Sequence, residues 1–166
     1  MIYHEMITVQ SDRRPTFDNI TDEVKEIVKA SGIKNGQVLV YTGHTTCSVQ
    51  IQEYSDGQTY WGTELIMQDL VNVLSKIIPT CTNEGQYLHP CQSHVDIAAA
   101  EREELAAWSL NTDAHLRSVI MGRSVTVPII DGEMILGEFG RIFFGDWDQV
   151  RARERKVVVQ VIGDKL

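Results

Sequence analysis

Apolar and polar positions alternate through the opening residues, where β-branched side chains recur, and predict a strand over Met1–Val9. Pro15 interrupts the pattern, and Asp18 or Asn19 stands where a helix cap belongs. Ile20, Val24, Ile27 and Val28 follow at i, i+4, i+7 and i+8, one apolar stripe of a helix, with Gly32 at the left-handed end. Val38–Tyr41 predicts a short strand running into Gly43-His44-Thr45-Thr46, and Ser48–Gln52 alternates again. A second helix is predicted over Trp61–Ile77, its face formed by Leu65, Ile66, Leu70, Val73, Leu74 and Ile77, with Pro79 as the stop. Thr80–Ser93 has no period, whereas the Ala- and Glu-rich Asp96–Trp108 has high helix propensity. Asn111 or Thr112 caps a further short helix that carries His115 and ends at Gly122. From there only strands are predicted: Ser124–Ile130, the hairpin turn Asp131-Gly132, Glu133–Leu136, Arg141–Phe144 and Val157–Ile162. Mixed elements followed by strands alone predict an α+β fold, a largely antiparallel β-sheet packed with helices. No repeat or linker divides residues 1–166, so one domain is expected.

Composition narrows the function classes. The 166 residues are 43% hydrophobic and 23% charged, a globular profile, and long enough to bury a core without disulfide or metal staples. A net charge of -8 disfavours nucleic acid or an anionic membrane as the main partner. It leaves room for a local basic pocket. No apolar run approaches the roughly 18 residues a membrane span needs, and MIYHEMITVQ lacks the apolar core of a signal peptide. Cys47, Cys81 and Cys91 make an odd count without a CxxC pair, which reads as reduced thiols and a cytoplasmic protein.

Candidate chemistry rests on histidines, carboxylates and a basic run. His44, His89 and His115 come from three separated segments and, as imidazoles, suit a first-row metal with an open position; His94 is the reserve. Glu53, Asp69, Asp113 and Asp146 are carboxylates suited to orienting such a ring or acting as a base, Asp69 reading more simply as the solvent side of its helix. Arg151, Arg153 and Arg155 fall on one side of an extended segment, either as a phosphate or carboxylate site or as a charged strand edge. Thr45, Thr46 and Ser48 offer hydroxyls, but no nucleophile elbow, Walker motif or dinucleotide fingerprint is present.

Ser31-Gly32 with Gly36, His44-Thr45-Thr46, Tyr87 and His89, and Asn111-Thr112-Asp113-Ala114-His115-Leu116 occur in an order that resembles the YjbQ family. The resemblance continues through Gly122-Arg123-Ser124-Val125-Thr126-Val127-Pro128, Asp131-Gly132, Leu136-Gly137 and Arg153 with Val157-Val158-Val159-Gln160. It implies a compact α+β homotrimer with sites near subunit contacts, and a divalent metal such as zinc or magnesium held by His44, His89 and His115. It also implies a secondary thiamine-phosphate synthase activity, joining a pyrimidine pyrophosphate to a thiazole phosphate. In that reading Arg153, Asn111, Thr45 and Thr46 bind the small anionic substrate, and Asp113, Asp146 and Glu53 are the catalytic carboxylates. Trp61, Phe139 and Trp147 are the expected aromatic residues between chains. The chain departs from the family at Glu138, Phe139 and Gly140, where Thr-Trp-Gln is usual, and its Ala-rich segment after His94 is longer. A metal-dependent hydrolase or lyase, and a non-catalytic binding trimer, are the alternative functions.

Overall fold

The protein is described here by a computed structural model covering residues 1–165. Strands β1 (Ile2–Gln10) and β2 (Thr16–Asn19) precede helix α1 (Thr21–Ser31), then β3 (Asn35–Tyr41) and β4 (Cys47–Glu53). Helices α2 (Leu65–Ile77) and α3 (Gln92–Arg102), a 3-10 turn (Ala106–Ser109) and α4 (Thr112–Met121) form the middle. Strands β5 (Ser124–Ile130), β6 (Glu133–Met134), β7 (Gly140–Asp146) and β8 (Glu154–Asp164) complete the chain. Every strand pairing is antiparallel, in two sheets ordered β1-β8-β3-β5-β6 and β2-β7-β4. The α+β expectation therefore holds, with two sheets where one was expected.

The two sheets face each other across the main core. Val38 and Val40 of β3, Val127 and Ile129 of β5, and Val157, Val159 and Val161 of β8 meet Val49 of β4 and Ile142 and Phe144 of β7. Val24, Ile27 and Val28 of α1 close the same core, as their spacing predicts. Each such fully buried side chain contributes about 1.5–3 kcal/mol relative to exposure. Immediately after β7, Trp147 packs into a second cluster with Leu74 of α2 and Ala114 of α4. Trp147 is 0% exposed, and its indole N–H donates to Ser48 Oγ at 2.9 Å, so it belongs to this cluster and is unsuited to an interface between chains. Trp61 and Phe139 are exposed.

Several element boundaries differ from the expectation for physical reasons. Thr16–Asn19 is a strand against β7, and Asn19 Oδ1 still serves α1 by accepting from the Thr21 hydroxyl at 2.6 Å. Residues 57–64 form a loop, so α2 begins at Leu65. On α2, Met67 and Leu74 are buried whereas Leu65, Val73 and Ile77 are exposed. The helix is apolar on two sides, and periodicity alone cannot say which side turns inward. Helix α3 starts at Gln92 and stops where Glu103 adopts φ 54°, giving way to the 3-10 turn. The Asp131-Gly132 turn has positive φ at both residues, as predicted for a tight hairpin.

Candidate functional site

The inward row of β8 runs Val161, Val159, Val157 and then Arg155; that of β7 runs Ile142, Phe144 and then Asp146. At this end of the core the apolar rows finish in opposite charges. Arg155 Nε donates to Asp146 Oδ2 at 2.7 Å and its Nη2 to Oδ1 at 3.2 Å, while Nη2 also reaches Thr46 Oγ1 at 3.0 Å. Both members of the pair are buried, and together they tie the five-stranded sheet to the three-stranded one. Asp148, also buried, pairs with Arg153 Nη2 at 2.9 Å and accepts from Asn111 Nδ2 at 3.2 Å.

Beside this pair lies a cleft of about 340 Å³. Gly43, His44, Thr45 and Thr46 line it from the β3–β4 loop, Asn111 and His115 from the start of α4, and Arg151, Arg153 and Arg155 from the approach to β8. The three arginines line the same cleft, although Arg151 and Arg153 precede β8 and do not alternate along a strand. An arm made of α3 and the 3-10 turn completes the wall with His94, Arg102, Glu104 and Trp108. Arg151 Nη2 binds Glu104 Oε1 at 2.6 Å, and its guanidinium lies 4.3 Å from the centre of the Trp108 ring. The Nε groups of Arg151 and Arg153 are buried without a hydrogen-bond partner.

The imidazoles are held in different ways. His44 Nε2 accepts the Lys156 backbone N–H at 3.0 Å, and its Nδ1 faces Arg155 Nη1 at 3.5 Å. His115 bonds the Thr45 backbone and lies 5.6 Å, ring centre to ring centre, from His89. His89 in turn is 4.9 Å from His94. The Thr112 hydroxyl donates to the His89 carbonyl at 2.6 Å, so the ring supplies the proton in its 3.0 Å contact from Nδ1 to Thr112 Oγ1. Burial lowers the pKa of His44, His89 and His115; Arg155 adds to the effect at His44, His94 at His89, and His89 at His115. These rings are neutral at neutral pH.

The predicted site residues are thus partly gathered. His44 and His115 border the cleft together, whereas His89 lines a separate small cavity with Pro90 and Val95. Among the described residues, no three His, Cys, Asp or Glu side chains stand where one ion is held by all of them. With His44 Nε2 accepting from the Lys156 backbone and His89 lining a cavity apart from His44 and His115, the implied donor set does not fit a metal as it stands. Asp113 points elsewhere: it accepts the Cys81 backbone N–H and lies 3.4 Å from the fully buried Arg117. Burial raises its pKa against those stabilising contacts. Glu53 sits exposed opposite Gly140, while Cys47 at the other end of β4 is opposite Asp146. Six residues of strand put Glu53 about 20 Å from the pair. Arg102, Glu104 and Trp108 escape sequence reasoning, because a run such as Glu101-Arg102-Glu103-Glu104 reads as a solvated helix face.

Residues 5–164 match the family described as UPF0047 protein YjbQ-like. The chain belongs to that family. YjbQ-like relatives include a UPF0047 protein of Methanothermobacter thermautotrophicus, 29% identical over 95% of this chain and 92% of the relative. A UPF0047 protein of Archaeoglobus fulgidus is 30% identical over 94% and 98%. Among solved structures, a YbjQ-like protein of unknown function from Sulfolobus solfataricus P2 is 25% identical, with a TM-score of 0.76 over 99% of each chain. A hypothetical protein from Aeropyrum pernix K1 is 27% identical, with a TM-score of 0.74 over 98% of this chain and 99% of the other. The family is one of uncharacterised function. No helix among the described residues is long and apolar enough to cross a membrane.

Proposed function

We propose that the cleft binds a small phosphorylated substrate and acts as a secondary thiamine-phosphate synthase, joining a pyrimidine pyrophosphate to a thiazole phosphate. The observation that carries this reading is the gathering of Arg102, Arg151, Arg153 and Arg155 on one cleft of a chain with net charge -8. In such a reaction a carbon–nitrogen bond forms as the carbon–oxygen bond to pyrophosphate breaks, and the departing oxygens collect negative charge. Guanidinium groups held in place beforehand stabilise that charge most effectively. Arg153 is well placed for this, since Asp148 holds one end of its fork while the side chain, 23% exposed, lines the cleft. Asp146 holds Arg155 in place, and Asn111 and Thr46 fix Asp148 and Arg155 respectively.

Pyrophosphate release from the two thiamine precursors, followed in the wild type and in Arg153→Lys, tests the reading. Turnover that falls in the variant at unchanged melting temperature supports it. A second reading, a hydrolase or lyase, is favoured by His115, a half-buried neutral imidazole on the cleft wall that suits a general base. Hydrolysis of a phosphate-ester panel without precursor coupling selects that reading. Binding without turnover of either kind leaves a non-catalytic binding protein. A homotrimer accompanies all three readings: Leu116, Val119 and Ile120 of α4 are exposed and apolar. Light scattering at three chain masses tests that assembly, and a concentration-independent monomer refutes it.

A further inference from the structure

We infer that Glu104 is a built-in anion that sets which ligands the cleft accepts, admitting dianionic phosphates and turning away single carboxylates. The inference rests on the anion-binding reading of the cleft and assigns it a specificity residue. Three observations lead to it. Among the described residues, Glu104 is the one carboxylate lining the cleft wall itself. It bonds Arg151 at 2.6 Å and lies 3.7 Å from Arg102, so it already occupies two of the four guanidiniums. Its side chain is only 18% exposed, and although burial opposes its charge, Arg151, Arg102 and Arg153 keep its pKa below the usual carboxylate range. It is therefore an ionised occupant.

The arm that carries Glu104 is suited to exchange. Glu103, immediately before it, is in the left-handed region at φ 54° and ends α3. Arg151 fastens the arm at two points, the Glu104 carboxylate and the Trp108 ring. An incoming anion has to replace a tethered carboxylate that is always present at high local concentration. A free carboxylate offers Arg151 the same two acceptor oxygens and the same single charge, so it gains nothing by the swap. A phosphate dianion brings a second charge and a third acceptor, enough to engage Arg151 and Arg153 together on the cleft wall.

The test is calorimetric titration of the full chain with inorganic phosphate and, separately, with acetate, in the wild type and in Glu104→Gln. The expected result is phosphate binding without acetate binding in the wild type. In Glu104→Gln, phosphate should bind about five- to tenfold tighter and acetate should become a measurable competitor; that size suits the loss of one partly exposed ion pair. Equal or weaker phosphate binding in a folded Glu104→Gln, with wild-type binding intact, overturns the role of Glu104 and leaves the anion site standing. Acetate competing with phosphate in the wild type overturns it without any variant. Failure of phosphate to bind either protein overturns the anion site and this inference together.

Discussion

Replacing Asp146 by asparagine keeps the shape of the side chain and removes the charge that Arg155 faces. Arg155 is 4% exposed and Asp146 0%, so the guanidinium left behind has little water to turn to. Breaking a buried pair from one side costs about 3–5 kcal/mol. Two features of the structure place this case near the lower end. An asparagine Oδ1 still accepts from Arg155, and Asp148 Oδ2 remains 3.9 Å from Arg155 Nη2. A loss of about 3 kcal/mol in a domain of this size lowers Tm by roughly 6–12 °C. Urea denaturation of Asp146→Asn, Arg155→Met and the double variant measures it, with ΔG compared at similar slopes. The double variant strands neither charge and should cost clearly less than the sum of the singles. A loss under about 1 kcal/mol in Asp146→Asn, or simple additivity in the double variant, would refute a stranded-charge account of this pair.

Other outcomes follow from the same geometry. Arg153→Lys keeps the charge but loses the planar fork, and phosphate affinity measured by calorimetry should fall by roughly 1–3 kcal/mol; a lowered melting temperature with unchanged affinity would leave Arg153 a purely structural partner of Asp148. Gly36 and Gly163 face each other across β3 and β8, and a Cβ on Gly36 would meet the Ile162 carbonyl oxygen at 2.1 Å. Gly36→Ala should therefore destabilise by about 3 kcal/mol or more, and a melt within a degree of wild type would contradict that close approach. Burial holds the His44, His89 and His115 pKa values below about 6.5, so in that window the unfolded chain takes up protons that the folded chain refuses. Their contribution is complete above about pH 6.5 and is lost as the pH falls through the lowered values. Melts between about pH 7.5 and 5 should show the decline, and His115→Gln should flatten part of it; an unchanged slope in the variant would remove His115 from the account.

The strands and α1 were legible because each has one inward face. Val157, Val159 and Val161 alternate with residues less buried than themselves, and Val24, Ile27 and Val28 have charged residues behind them. Helix α2 was legible as a helix but not in orientation, since Leu65, Val73 and Ile77 make a second apolar side. Strand β2 escaped notice because four residues after Pro15 carry too little pattern, and its existence depends on β7, more than a hundred residues away. The site divides in the same manner. His44, His115 and the arginine row are visible from local order and from the resemblance. The Glu104–Arg151 pair and the Trp108 stacking arise only when the arm folds back against the approach to β8, a contact between partners 47 residues apart in the first case.

The bridge between Arg155 and Asp146 changes how variation among relatives should be read. Together they hold the sheets, and Arg155 walls the cleft as well, so a lineage that lost its chemistry would still be under selection to retain them. Their persistence is therefore no sign of activity. Arg153 lines the cleft without joining the two sheets, and Glu104 sits on an arm outside the core, so their drift across descendants would be the more informative record of a changing ligand.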